Sequence, residues 1–274
     1  MQGYGHRRSR IIGLGILITL VVTGCGDDGD GAQDGEARTP ADEAPEPTVV
    51  TGAGDIGAAV EEYRGLLGAD NGGAPDQNAS GRREINWDAV PDESAAPNPL
   101  PSDFFNAPDE PRARGAVLET PGDHVAVSAD LDNPAGVGVR FGDINPSYAD
   151  TFRTFSEERL FSPVGSNVVD LRFFLPGTDT PAAVRGFGAV YTDVDLEETA
   201  SFEFFDTDDE SLGTFAVPVS ENGLSFLGIA FPDAVVARVR IVYGNSELGP
   251  DDGGQYDVAV MDDFIFGEPQ PLEG

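Results

Sequence analysis

The sequence predicts an all-β protein, an antiparallel β-sandwich of the jelly-roll type that follows one short helix and a disordered tether. Two observations lead to this fold class. Short apolar segments recur at intervals near ten residues from about residue 84 onward, and turns rich in Gly, Pro and Asp separate them, which is the pattern of a sandwich. No repeat of fixed period is visible, so a propeller or a solenoid is not expected.

The N-terminus carries an export signal, predicted over residues 1–24. Arg7, Arg8 and Arg10 form a basic start, and an apolar run of 12 residues follows at 11–22. A membrane-spanning helix needs about 20 apolar residues. The shorter run is therefore typical of a secretory signal peptide.

The tetrapeptide Val22-Thr23-Gly24-Cys25 closes this segment and resembles the lipobox of bacterial lipoproteins. The resemblance implies cleavage before Cys25 and a thioether-linked diacylglycerol on its sulfur. Two acyl chains anchor a protein stably in a bilayer, so the lipid bilayer is an expected partner. The expected location is the cell envelope, on the extracytoplasmic side of a membrane.

A disordered, acidic tether is expected after the lipidated Cys, over residues 25–54. Residues 26–51 contain eight acidic residues, many Gly, Ala and Pro, and no aromatic residue. Such a segment buries too little apolar surface to order itself.

A short helix and a linker are predicted over residues 55–83, with the helix at 55–67. Asp55 suits the N-cap and Gly68 supplies a C-terminal stop. One apolar face contains the residues at i, i+4, i+7 and i+11: Ile56, Val60, Tyr63 and Leu67. We expect this face to pack on the edge of the following domain. A partner-binding helix is the alternative.

The sandwich is predicted over residues 84–268, with a short tail at 269–274. In the segment 235–243 the apolar side chains should face the core, while Arg238 and Arg240 face the other way. The strand candidates, in chain order, are residues 116–119, 124–129, 137–141, 169–175, 185–194, 200–205, 212–217, 224–231, 235–243 and 258–266.

Several segments of this domain resemble a group of uncharacterised secreted bacterial β-sandwich domains. They include residues 85–88 (INWD), 185–190 (RGFGAV) and 261–267 (MDDFIFG). This group is similar to the jelly-roll domains of PEP-CTERM-anchored surface proteins and, more distantly, to jelly-roll carbohydrate-binding modules. The chain departs from the PEP-CTERM pattern because residues 268–274 (EPQPLEG) include no apolar helix and no basic tail. The resemblance implies a fold rather than an activity.

Charge and composition exclude several function classes. The chain has 49 acidic residues and 16 basic ones, all of them Arg, for a net charge of −33, which would repel nucleic acid. A single Cys excludes a disulfide framework and a thiolate zinc site. His124 is the one histidine after the signal segment, so we do not expect Ser-His-Asp catalysis or any other enzyme activity. A carboxylate-dependent glycoside hydrolase is the least favoured alternative.

Carbohydrate is the predicted ligand, in the form of polysaccharide or peptidoglycan. A long loop is predicted over residues 142–167, and it contains Tyr148, with Asn145 and Arg153 as polar neighbours. A flat ring at the surface can cover the apolar face of a sugar. Trp87, by contrast, is expected in the core. The alternative is a structural or protein-interaction domain without a small ligand.

A structural calcium ion is predicted near the closing strand. Asp262 and Asp263 interrupt an otherwise apolar run, so one of the two carboxylates should face inward, where a cation must compensate it. In the jelly-roll modules that this segment resembles, an Asp of the matching motif binds calcium, which implies Asp262, or Asp263 as the other position. The alternative is that the inward Asp pairs with an Arg such as Arg238 or accepts hydrogen bonds from backbone N–H groups.

Overall fold

Two antiparallel sheets pack face to face in the computed structural model, which describes residues 46–272. This architecture confirms the predicted all-β sandwich. The strands are β1 Thr48–Ala53, β2 Arg82–Ile85, β3 Ala116–Glu119, β4 His124–Val127, β5 Phe161–Val164, β6 Val168–Phe173, β7 Ala182–Ala183, β8 Gly186–Val194, β9 Ser201–Phe205, β10 Ser211–Ala216, β11 Ser220–Ala230, β12 Arg238–Val242, β13 Val260–Gly267 and β14 Gln270–Pro271. The helices are α1 Gly57–Leu67 and α2 Tyr148–Thr151, with single 3₁₀ turns at Asp92–Ser94 and Phe104–Asn106.

Sheet A has the strand order β1-β11-β8-β13-β5-β4, with β2 also beside β13, and sheet B has the order β10-β9-β12-β6-β3. The main hydrophobic core lies between them. In β12, Val239 and Ile241 are buried in this core, as predicted. Trp87 is buried as well, and its ring stacks on Phe161 with centroids 4.3 Å apart.

Sheet A is buried on both of its faces along its central strands. Every residue of β8 and of β13 is buried, which is unusual for an antiparallel sheet, where one face commonly meets water. Helix α1 and the segment 141–160 supply the second cover, each with its own cluster of buried apolar side chains.

Helix α1 lies on the outer face of sheet A rather than at the domain edge. Its predicted apolar face is buried as expected, but the N-cap residue is Ile56 instead of Asp55. The Tyr63 ring packs directly on the backbone of Gly228 and Gly188. A Cβ added to Gly228 would lie 2.5 Å from Cδ2 of Tyr63, and a Cβ added to Gly188 would lie 2.7 Å from its Cε1. The Tyr63 hydroxyl donates to the carbonyl of Ile229 at 2.8 Å.

The tether ends earlier than the sequence predicts. Residues 48–53 form β1, which pairs antiparallel with β11 at the edge of sheet A, and Val50 is buried beneath α1. Overall composition suggested disorder, whereas a local run of Thr and Val with a sheet edge to pair against forms a strand. The expected signal segment 1–24 and Cys25 lie outside the described residues.

The expected boundary at residue 84 is wrong too, because the stretch before it is part of the domain. The Arg83 guanidinium is completely buried and forms an ion pair with Glu268, Nε to Oε2 at 2.7 Å. Its other N–H groups donate to carbonyls of residues 72, 74, 76 and 113. This arginine therefore connects the supposed linker to the end of β13, and nearly all its donors are paired.

Two other segments differ from the prediction. Residues 137–141 form a turn with one isolated bridge, because Arg140 and Phe141 adopt positive φ values of 51° and 63°, which an extended strand excludes. The segment 142–167 is not one long loop, since it contains α2 and β5.

Within residues 46–272, no helix has the length and apolar character needed to span a membrane.

The contact between Tyr63 and the glycines leads to a stability prediction. Gly228→Ala should lower the free energy of unfolding by about 1–3 kcal/mol, because its Cβ would overlap the Tyr63 ring. The matched control is Gly65→Ala on the exposed side of α1, where no heavy atom lies within 4 Å of the new Cβ. That variant should be neutral or stabilise by up to about 1 kcal/mol. Denaturant unfolding of both proteins measures the difference, and an equal loss in the two would contradict the packing described.

Candidate metal centre

Both aspartates of the closing strand point to the outer face of sheet A. The register of β13 against β8 shifts between Met261 and Phe264, which is a β-bulge that holds one extra residue. Met261 and Phe264 face the main core, and Asp262 and Asp263 are both buried under the outer cover. The expectation that the two carboxylates face opposite sides is wrong, because it assumed a regular strand.

The carboxyl group of Asp262 already accepts hydrogen bonds from the protein itself. Its Oδ2 accepts hydrogen bonds from the backbone N–H groups of Phe155 at 2.6 Å and Ser156 at 3.2 Å. Asp263 lies 3.6 Å from the Arg64 guanidinium, while Arg238 pairs instead with Asp170 and Asp209. The structure therefore favours the backbone-capping alternative over the calcium site predicted at Asp262 and Asp263.

The two carboxyl groups share the hydroxyl of Ser156. Its Oγ lies 3.1 Å from Oδ1 of Asp262 and 2.7 Å from Oδ1 of Asp263. A serine hydroxyl donates only one proton, so the second contact requires a proton on one carboxyl group. Burial and the neighbouring charge of Asp263 raise the pKa of Asp262, and burial raises the pKa of Asp263. Burial and mutual repulsion therefore both favour one retained proton in the pair.

The residues predicted to bind a ligand have structural roles. Tyr148 is fully buried, so the prediction that its ring lies at the surface is wrong. It stacks on Phe152 inside the outer cover, with centroids 4.3 Å apart. The sequence could not reveal this, because the burial depends on how segment 141–160 folds back over sheet A.

These same residues hold the loops at one end of the sandwich. The Tyr148 hydroxyl donates to the carbonyl of Gly249 at 2.7 Å, and the Asn145 amide donates to the carbonyl of Pro250 at 3.2 Å. The Arg153 Nε donates to the carbonyl of Asn222 at 2.8 Å. All three side chains therefore hold loops at this end of the sandwich.

The loops that they hold carry a cluster of carboxylates. One oxygen from each of Asp193, Asp195 and Asp252 lies within 4.8 Å of the others. Asp193 is near the end of β8, Asp195 follows the strand directly, and Asp252 comes from the loop that Asn145 and Tyr148 contact. The sequence signal was a pair of acids spaced i, i+2 at a strand end, which the acid-rich composition obscured.

Burial and mutual repulsion dominate the electrostatics of this cluster. Burial, followed by the charges of Asp195, Asp252 and Asp257, raises the pKa of Asp193 to about 7. Burial and the charge of Asp257 raise the pKa of Asp195 to about 6, and burial raises that of Asp252. The neighbouring charges that shift these pKa values are all carboxylates.

Hydrogen bonds fix the cluster but leave part of it unpaired. Oδ1 of Asp193 accepts from the Asn222 backbone N–H at 2.7 Å, and the buried Asp257 accepts from the backbone N–H groups of Asp195 and Leu196. Oδ1 of Asp195 is buried without a hydrogen-bond partner. Three converging carboxylates of this kind could hold a metal ion.

No protein-family model matches the chain, and no curated protein matches it. Among solved structures, the enzymatically active domain of tailspike protein 4 from bacteriophage CBA120 is similar at 14% identity and a TM-score of 0.28, over 62% of this chain and 21% of that chain. A two-domain protein of unknown function from Bacteroides fragilis is similar at 13% identity and a TM-score of 0.25, over 62% of this chain and 48% of that one. This chain thus spans about a fifth and about half of their lengths. Such TM-scores define neither its fold nor its function.

The Asp262–Ser156 contact leads to a prediction about stability and pH. Asp262→Ala should lower the free energy of unfolding by about 3 kcal/mol, because two backbone N–H groups are left unpaired. Asp262→Asn, which resembles the protonated acid, should cost less than about 1 kcal/mol. The raised folded-state pKa means that this group stabilises the protein at acidic pH and loses that contribution as the pH rises through the folded-state pKa.

Denaturant unfolding from pH 4 to pH 9 measures both effects. The wild-type protein should lose stability relative to Asp262→Asn as the pH rises. Parallel pH curves for the two proteins would rule out a shared proton.

Proposed function

We propose that the protein is a lipid-anchored envelope lipoprotein whose non-catalytic β-sandwich binds Ca²⁺ at one end and presents a carbohydrate-binding surface there. The observation that carries this proposal is the cluster of Asp193, Asp195 and Asp252. Each group has a raised pKa, and a cation would relieve the repulsion among them.

Calcium is the cation that suits this cluster best. Ca²⁺ accepts six to eight oxygen ligands in flexible geometry, whereas Mg²⁺ demands a near-ideal octahedron and keeps several waters. Two of the carboxylates are fixed at a strand end and the third comes from a Gly-rich loop, which tolerates the looser geometry of Ca²⁺. Its remaining coordination positions are available to water or to a ligand.

A non-catalytic role fits the position of the cluster. Glycoside hydrolysis needs two carboxyl groups on either side of a sugar held in a cleft. The cavity of about 1000 Å³ beside β7 and β14 and the two of about 470 and 460 Å³ beside β3 are lined by other side chains. The carboxylates of this cluster converge on one point, which suits an ion better than a glycosidic bond.

Calcium should raise the melting temperature at pH 7.5 by a few degrees. At tenfold excess over its Kd the ion adds about 1.4 kcal/mol to the free energy of unfolding. Each kcal/mol raises the melting temperature of a chain of this size by roughly 2–4 °C. The pKa of Asp193 is about 3.9 in the unfolded chain and about 7 in the folded protein. Without a cation, the protein therefore loses stability as the pH rises between these two values. The calcium effect should therefore vanish at pH 5, where protons compete for the site.

Calorimetric melting with Ca²⁺, Mg²⁺ or chelator tests this prediction. Asp193→Asn should abolish the calcium shift, while Asp179→Asn, at an exposed position away from the cluster, should keep it. A shift that persists in Asp193→Asn, or identical melting with and without chelator, would refute the site.

Lipid anchoring is supported by the lipobox-like tetrapeptide that ends at Cys25. We expect the mature chain to begin at Cys25 with a diacylglycerol on its sulfur. Mass spectrometry of the membrane fraction measures the modification, and Cys25→Ser should release the protein or leave it uncleaved. An unmodified Cys25, or a different mature N-terminus, would contradict the anchor.

Carbohydrate binding is supported by one exposed ring near the cluster. Tyr256 is 41% exposed. Its backbone N–H donates to the carbonyl of Gly253, in the loop that carries Asp252. A sugar could stack on this ring while its hydroxyls complete the calcium coordination. Glycan-array binding should therefore require Ca²⁺ and should fall at least about tenfold in Tyr256→Ala. Binding unchanged by chelator or by this variant would exclude this surface, and release of reducing sugar would contradict a non-catalytic role.

A further inference from the structure

A second candidate site lies at the end of β2, in a cavity of about 310 Å³ with an apolar floor. The floor consists of buried side chains, among them Val90, Phe104 and Phe105. Exposed residues such as Ala89 and Glu93 form the rim, so the cavity opens to solvent. At about 30 Å³ per water, its volume equals about ten waters, which is the size of a small organic ligand.

The Trp87 wall of this cavity is held in a fixed position. Trp87 adopts a positive φ of 63°, which is a genuine outlier for a bulky residue and is retained only where the surroundings enforce it. The ring stacks on Phe161, and its Nε1 donates to the carbonyl of Asp262 at 2.8 Å. The apolar wall therefore exists before any ligand binds.

Arg114 supplies the polar group in this cavity. Among the described residues, the one hydrogen bond of its side chain runs from Nη1 to the backbone carbonyl of Glu84, and its Nε is buried without a partner. Burial lowers the pKa of Arg114, which means that its charge is poorly solvated. A guanidinium offers five donors, so the Nη groups of Arg114 keep N–H donors beyond the one that Glu84 accepts.

The charges around the cavity limit the ligand to one negative charge. Arg112, the other cation in the lining, is already paired with Asp109 at 2.8 Å and lies over the Phe104 ring. Glu93 at the rim would repel a dianion such as a phosphate monoester. The carboxylates of Asp70 and Glu84 also act on the charge of Arg114, so the cavity holds too little positive charge for a dianion.

We propose that this cavity binds a small monocarboxylate with an apolar or aromatic body of about ten non-hydrogen atoms. The carboxylate would accept hydrogen bonds from Arg114, and the body would lie against Phe104 and Phe105. Arginine favours carboxylates because two parallel N–H groups match two oxygens. The proposal is independent of the calcium site and is tested in the presence of chelator.

Isothermal titration calorimetry with phenylacetate and with its neutral analogue phenylacetamide tests this proposal. Phenylacetate should bind at least about tenfold more tightly, because a hydrogen bond to a charged group discriminates by that factor or more. This comparison uses the wild-type protein and so does not depend on the folding of any variant. Equal affinity for the two compounds, or no binding of phenylacetate at millimolar concentration, would overturn the proposal.

Variants locate the binding within the chain. Arg114→Met should remove the preference for phenylacetate, while Arg172→Met, at an exposed ion pair on sheet B, should keep it. Ala89→Trp at the exposed rim should block the cavity and abolish binding without altering the fold, which circular dichroism checks. Binding that persists in Ala89→Trp would place the ligand elsewhere and overturn the assignment.

Discussion

The double burial of sheet A is the constraint on which the rest of the structure depends. An antiparallel sheet that is apolar on both faces requires a cover on each side. Sheet B covers the inner face, and α1 with segment 141–160 covers the outer face. The cover is fixed by a few specific contacts, namely Tyr63 over the sheet glycines and Ser156 against Asp262 and Asp263.

The outer cover also organises the candidate metal centre. Asn145 and Tyr148 belong to the cover, and their side chains hold the loop that carries Asp252. Arg153 holds the turn at Asn222, whose backbone N–H donates a hydrogen bond to Asp193. Packing of the cover and geometry of the carboxylates are thus connected through hydrogen bonds, so a cation bound at the cluster would also stabilise the cover.

Two buried arginines neutralise carboxylates that hold the fold together. Arg83 neutralises Glu268 in a fully buried pair, and Arg238 connects Asp170 with Asp209 across sheet B. The aspartates at the loop end have no such partner among the charges that shift their pKa values. Carboxylates paired with arginine thus stabilise the fold, whereas those without such a partner could bind a cation.

Local patterns in the sequence were enough to predict the fold class, the apolar face of α1 and the inward side of β12, because each depends on the spacing of apolar residues. The core position of Trp87 followed from the size of its apolar ring. Which aspartates cluster and which accept backbone hydrogen bonds depends on the tertiary structure. The β13 bulge changed the facing of Asp263, and the fold of segment 141–160 buried Tyr148. Such outcomes depend on contacts between residues far apart in the chain, and a pattern of neighbouring residues carries no information about them.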